Sequence, residues 1–134
     1  HLLMKTIAYL RAIVLLISSL VLLQNCTKKE VTPDRDKFIG IYKGNDSCSP
    51  GVQLTLSISA SSTSENEVIM ASGSNSWKGT VSGSSITING QPVVFNISAT
   101  LNGTANLNGT SLNFAYTAVG GGQSISCTAS LIKQ

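Results

Sequence analysis

Between Gln53 and Ala60, apolar and polar side chains alternate without a break: Leu54, Leu56, Ile58 and Ala60 against Gln53, Thr55, Ser57 and Ser59. In extended backbone, successive side chains point to opposite faces, so this spacing puts each apolar group on one side and each polar group on the other. Wound into a helix, the same residues would scatter around its whole surface. The pattern returns near the end of the chain, where Ile125, Cys127, Ala129 and Leu131 alternate with Ser126, Thr128 and Ser130. Segments of this kind confine the chain to sheets with one buried and one solvated face.

Turn signals divide the region after residue 36 into about eight strands, with no helical periodicity between them. The first runs from Phe38 to Gly44, carries apolar groups on both faces and stops at Gly44-Asn45-Asp46-Ser47. Val68–Ser72 is a short strand after a polar turn at residues 61–66. Gly83-Ser84 has glycine first, as a two-residue type II′ hairpin prefers, which sets Val81 opposite Ile86 and Gly79 opposite Ile88. Asn89-Gly90 reads as the next turn. A long strand then begins near Val93, with Val93, Phe95, Ile97, Ala99 and Leu101 on one face. Of the repeated Asn102-Gly103 and Asn108-Gly109, a single turn at Asn108-Gly109 keeps all apolar groups together. That register pairs Leu107 with Thr110, Ala105 with Leu112, Gly103 with Phe114 and Leu101 with Tyr116, and Gly103 leaves room beside a large ring. Two all-β closures fit this series: an antiparallel up-and-down barrel of about eight strands, or a small β-sandwich.

The N-terminal part has a different character. Residues 1–3 precede Met4 and read as an upstream extension. Lys5 and Arg11 then lead into a nearly unbroken apolar run from Ala12 to Leu23, the layout of a secretory signal. Spanning hydrocarbon takes roughly 20 apolar residues and this run has about 12, so residues 1–25 are expected to be a signal peptide rather than a membrane span. The run ends at Leu23-Gln24-Asn25-Cys26, which resembles the lipobox of bacterial lipoproteins, with Leu three positions before the Cys; Gln24 and Asn25 stand where small residues are usual. The resemblance implies cleavage before Cys26, a diacylglycerol on its thiol and an acylated new amino terminus. More than one acyl chain makes such attachment stable, at about 0.8 kcal/mol per buried methylene. Residues 26–36 are polar, charged and broken by Pro33, and are expected to form the lipidated Cys and a flexible tether ahead of a single domain over residues 37–134.

With Cys26 assigned to lipid, Cys48 and Cys127 remain, and an exported chain in an oxidising compartment is expected to join them. The bridge needs Cα atoms within about 7 Å, so the end of the first strand must lie beside the last, as barrel closure requires. A domain of about 100 residues buries only some 60–65% of its unfolded surface, and loop-closure entropy for so long a loop amounts to about 4–5 kcal/mol.

Composition excludes several kinds of chemistry. The net charge of +3 is partly held by Lys5 and Arg11, and from Asn45 onward the charged side chains are Asp46, Glu65, Glu67, Lys78 and Lys133. No basic stripe is available for phosphates, so nucleic acid is not an expected partner. The one histidine is His1, ahead of the signal, which leaves the mature chain without imidazole for nucleophile activation or metal ligation. Glu65 and Glu67 read as a solvated turn, and nothing near Lys78 makes it a buried amine for a Ser–Lys dyad. No catalysis, metal or cofactor is expected beyond the lipid on Cys26.

Several features of residues 38–133 resemble small lipocalin-like lipoproteins of Bacteroidetes-type bacteria: Gly40-Ile41-Tyr42 with Cys48 soon after, Val81-Ser82-Gly83, Ile86-Thr87-Ile88 with Gln91, Leu112 to Thr117 and Cys127-Thr128-Ala129. Gly40-Ile41-Tyr42 also resembles the Gly-x-Trp of lipocalins, with Tyr in place of Trp. The resemblance implies a lipocalin-like barrel in the bacterial cell envelope, anchored to the outer membrane and facing the periplasm or the surface. Residues 27–30 (Thr-Lys-Lys-Glu) do not match the acidic run that marks surface export in such bacteria. The expected function is non-catalytic: a small apolar ligand held among Phe95, Leu112, Phe114, Tyr116 and a rim Trp77. The alternative is a structural module with a filled core that presents its Ser/Thr/Asn face to an envelope protein or glycan.

Overall fold

Antiparallel strands close into an up-and-down barrel in the computed structural model, which describes residues Thr32–Gln134. The expected signal peptide, Cys26 and the first part of the tether lie outside the described residues. The strands are β1 (Gly40–Asp46), β2 (Gln53–Ala60), β3 (Glu67–Ser72), β4 (Asn75–Ser82), β5 (Ser85–Val94), β6 (Ser98–Asn108), β7 (Ser111–Gly120) and β8 (Gln123–Lys133). Each pairs with its sequence neighbours, and β1 also pairs with β8, which rules out the sandwich.

Two-residue turns set most of the registers. Gly73, Gly83, Gly109 and Gly121 each open such a turn at positive φ. Val81 faces Ile86 as expected. The single turn expected near Asn108-Gly109 also forms, but its central residues are Gly109 and Thr110, so Leu107 faces Leu112, Ala105 faces Phe114, Gly103 faces Tyr116 and Leu101 faces Ala118. Glycine stands first in the turn, as it does at Gly83. The register therefore differs by two from the expected one, and a slip of two keeps every side chain on its own face. Gly103 does lie against the rings: a Cβ there would fall 2.9 Å from Tyr116 Cβ and 3.0 Å from Phe114 Cε2.

Asn89-Gly90 is not a turn. β5 runs through it with a shift of register between Ile88 and Gln91, and the Gly90 N–H donates to Asn102 Oδ1 at 2.9 Å. A bulge with glycine at positive φ carries the same residues as a turn, which is why the sequence misleads here. The chain reverses instead at Phe95–Ile97, where Phe95 N–H donates to Ile97 O at 3.1 Å. Asn75 clasps the approach, donating to Val94 O and accepting from Val94 N–H, both at 2.8 Å. Val93 thus belongs to β5, Phe95 and Ile97 are half-exposed in the connection, and Ala99 and Leu101 belong to β6.

The expected tether and first strand also need correction. Asp34–Phe38 forms a short 3₁₀ helix, and β1 starts only at Gly40. One ring and one guanidinium hold this polar stretch in place. Phe38 is fully buried, and Arg35 Nη1 donates to Ser61 O at 2.7 Å and Ser64 O at 2.6 Å in the β2–β3 loop. Tyr42 OH donates to Phe38 O at 2.8 Å, while Lys133 Nζ donates to Lys37 O at 3.0 Å and lies 5.9 Å from the centre of the Tyr42 ring. These contacts seal one end of the barrel over a core that includes Leu56, Val68, Met70, Ile86 and Leu131.

The β1–β8 seam runs from Tyr42 opposite Lys133 to Asp46 opposite Ala129. Ser47 N–H continues it to Thr128 O at 2.9 Å, and a Cys48–Cys127 disulfide ends it, with Cα atoms 5.5 Å apart and the cysteines 79 positions apart in sequence. Replacing both cysteines by serine is expected to lower the unfolding free energy by about 2–5 kcal/mol. Urea unfolding of the variant and of the oxidised chain measures the difference, and an unchanged midpoint contradicts it.

Candidate functional site

The open end of the barrel is formed by the loops after β1, β3, β5 and β7, opposite the 3₁₀ helix. Here the packed interior gives way to a cavity of about 140 Å³. Trp77, Phe114 and Tyr116 wall it, with Leu54, Leu56 and Leu101 as further apolar lining, half-exposed Phe95 at its mouth and Asp46, Ser49, Ser72 and Asn75 as polar groups. A shallower cleft of about 300 Å³ shares Phe95 and continues over Ile97, Ala99, Ala118 and Ile125. Val94, Phe95, Ile97, Val119 and Ile125 leave the rim apolar and exposed.

Strand alternation places the rings. Phe114 and Tyr116 are two apart on β7 and so share its inner face, with ring centres 4.9 Å apart and planes 29° from parallel. Trp77, inward on β4, extends the stack with its centre 6.4 Å from Phe114 at 18°. Offset stacks at these separations are attractive beyond the area they bury. The structure therefore brings Trp77, Phe95, Phe114 and Tyr116 around one cavity. Leu112 is not among its lining: two positions from Phe114, it is fully buried opposite Leu107 and Leu131. Trp77 Nε1 is itself buried without a hydrogen-bond partner.

Asp46 is the group that sequence reasoning missed, because Gly44-Asn45-Asp46-Ser47 reads as a loop. It ends β1, is 7% exposed, and accepts Cys48 N–H at 3.0 Å on Oδ1 and the Tyr116 hydroxyl on Oδ2. Parity was the available signal, because Asp46 lies four residues after the inward Tyr42 and hence on the same face. Among the described residues, Asp46 has no ion-pair partner, and no Lys or Arg lines the cavity.

The other candidates have local roles. Glu67 accepts hydrogen bonds from Ser61 and Thr63 and lies 3.5 Å from Lys78 Nζ. Those two hydroxyls, and then the lysine charge, hold its carboxyl below the usual range. Glu65 is exposed and forms no carboxylate pair with it. Asp46, Cys48 and Cys127 gather a carboxylate oxygen and two sulfurs within 4.8 Å of one another, but the disulfide leaves neither sulfur as a thiolate to bind a metal. On the outer face of β5–β8, Thr87, Asn89, Asn102, Thr104, Thr117, Ser126 and Thr128 line a shallow depression of about 530 Å³.

Burial pushes the Tyr42 phenol up; at Tyr116 burial does so first, then the hydrogen bond to Asp46 and its charge. A folded-state value above the unfolded one gives stability that is complete below the unfolded value and is lost as pH rises towards the folded value. Stability is therefore expected to fall above about pH 10, the ordinary tyrosine value, as the unfolded chain ionises. Urea midpoints between pH 8 and 11 test this: Tyr116→Phe should flatten the decline, and a decline of equal slope in that variant contradicts the assignment.

No protein-family model, curated protein or solved structure matches this chain.

Proposed function

We propose that this chain is a non-catalytic lipoprotein of the bacterial cell envelope, anchored through acyl chains on Cys26, whose barrel holds a small apolar or amphipathic ligand in its open end. The observation that carries the ligand reading is the cavity at that end. Aromatic rings and leucines line it, and polar groups stand at defined points of its wall, above a core of buried apolar side chains. Such a mixture of apolar walls and few polar groups is typical of ligand sites. A dry cavity of about 150 Å³ is enough to take a benzene-sized molecule.

The anchor draws its support from the signal-like segment and Leu23-Gln24-Asn25-Cys26. It implies an outer-membrane protein facing the periplasm or the surface. Intact mass of the chain from its native membrane should exceed that of the same polypeptide cut before Cys26 by a diacylglycerol and an acyl chain. Cys26→Ser should lose that increment; an unacylated wild type contradicts the anchor.

Trp77, the only tryptophan, reports on the cavity from within. Cyclohexanol, a ring of suitable size without near-ultraviolet absorbance, is expected to shift Trp77 emission saturably, and Ser72→Leu, which fills the wall, should abolish the shift. A strictly linear response in the wild type contradicts the ligand reading. The outer-face depression supports the second reading, an interaction module for an envelope protein or glycan; co-purification of a partner that survives Ser72→Leu would favour it.

A further inference from the structure

The aromatic residues of the described chain fall into two groups with different electrostatic partners. At the closed end, Phe38 and Tyr42 each lie near an ammonium group: Lys37 Nζ is 5.7 Å from the Phe38 ring centre and Lys133 Nζ 5.9 Å from that of Tyr42. At the open end, Trp77, Phe95, Phe114 and Tyr116 surround a cavity that no Lys or Arg lines. The faces of aromatic rings carry negative potential, and a cation is held most strongly where it is desolvated. Asp46 adds a carboxylate to the same wall. It is almost fully buried, its hydrogen-bond donors are neutral (the Tyr116 hydroxyl and the Cys48 amide), and among the described residues no side-chain cation pairs with it. A carboxylate removed from water is costly unless its charge is met.

We propose that the open-end cavity binds a small organic ammonium ion, its positive centre among the rings of Trp77, Phe114 and Tyr116 and facing Asp46, with Phe95 closing over it. This rests on the reading of the open end as a ligand cup and names the class of ligand. An anion would meet the Asp46 carboxylate with no basic side chain to offset it, so the cup selects against carboxylates and phosphates. Neutral apolar molecules of the same shape gain the burial but not the charge interaction. The volume, about 140 Å³, suits a group of trimethylammonium size. Because no cation lines the cavity to receive a phosphate, the occupant is a free ammonium compound rather than a phospholipid headgroup.

Choline and its neutral carbon isostere 3,3-dimethylbutan-1-ol separate charge from shape. Titrated into the full chain with Trp77 emission as the readout, choline is expected to bind about tenfold or more tightly than the alcohol. Asp46→Asn should bring the two within about threefold of each other, since it removes the charge and keeps an acceptor. That variant also alters the Tyr116 and Cys48 hydrogen bonds, so Phe95→Leu at the half-exposed mouth provides an independent measure. It should weaken choline by about threefold and leave the alcohol unchanged. Phosphocholine, which stands for a lipid headgroup, should bind more weakly than choline; tighter binding overturns the free-ammonium assignment. Equal or tighter binding of the alcohol overturns the cation proposal while the ligand cup stands. If neither compound nor cyclohexanol changes Trp77 emission saturably, the cup reading falls with it.

Discussion

Pairing of β1 with β8 is the constraint on which the rest depends. A sheet of alternating strands has one apolar face, and in a single layer only closure hides that face and removes both edges. This is also the least local pairing in the chain, joining Tyr42 to Lys133 and Asp46 to Ala129. Its loop entropy must be met before its contacts form. Local features at the seam favour it. Gly44 lets the two backbones approach, since a Cβ there would overlap Ser130 O. Beyond the last ladder pair, Ser47 bonds Thr128 through both its N–H and its hydroxyl, and the disulfide then fixes the seam's end.

Closure leaves two barrel ends, and the chain treats them differently. One receives the 3₁₀ helix, whose buried Phe38 fills the axis while Arg35 ties the helix to the β2–β3 loop. The other receives little cover. Gly73-Ser74 and Gly121-Gly122 are too short and too small to reach over the opening, and the longer loop after β1 is held back at Cys48. Inward positions near that end carry rings that stack along the wall rather than meeting at the centre. A cavity is the geometric remainder.

How much of this is legible in the sequence depends on whether the signal is local. Period-2 alternation is local, so fold class, strand number and most inward faces can be read from the residues alone, as can the glycine-led turn at Gly83. A register error of two at Gly109 does no harm to face assignment, because parity survives such a slip. Errors arise where one local signal has two structural meanings. Asn89-Gly90 serves a turn or a bulge equally well, and only the clasp of Asn75 on Val94, from another hairpin, decides where the chain reverses. Asp34–Phe38 has no helical periodicity at all; its conformation comes from one buried ring and from three distant carbonyl groups, two in the β2–β3 loop and that of Glu67 at the start of β3. For the candidate site, the rings on β4 and β7 can be grouped from sequence, whereas Asp46 cannot be placed until the facing of β1 is known. Both faces of that strand look alike in apolar content.

Asp46 links the seam to the cup. Through its own backbone it is the last ladder residue of the seam, and through its carboxylate it joins Tyr116 on β7 and the Cys48 amide to the cavity wall. The same residue therefore serves the seam through its backbone and the cavity wall through its carboxylate. A buried carboxylate held by neutral donors alone is tolerated rather than favoured, and a cation in the cup would relieve it. Any ligand that binds the folded barrel and not the unfolded chain stabilises it by mass action. A ligand engaging Asp46 would do so at the seam, where β1, β7 and β8 meet. Asp46 thus belongs both to the ladder that closes the barrel and to the wall of the open-end cavity.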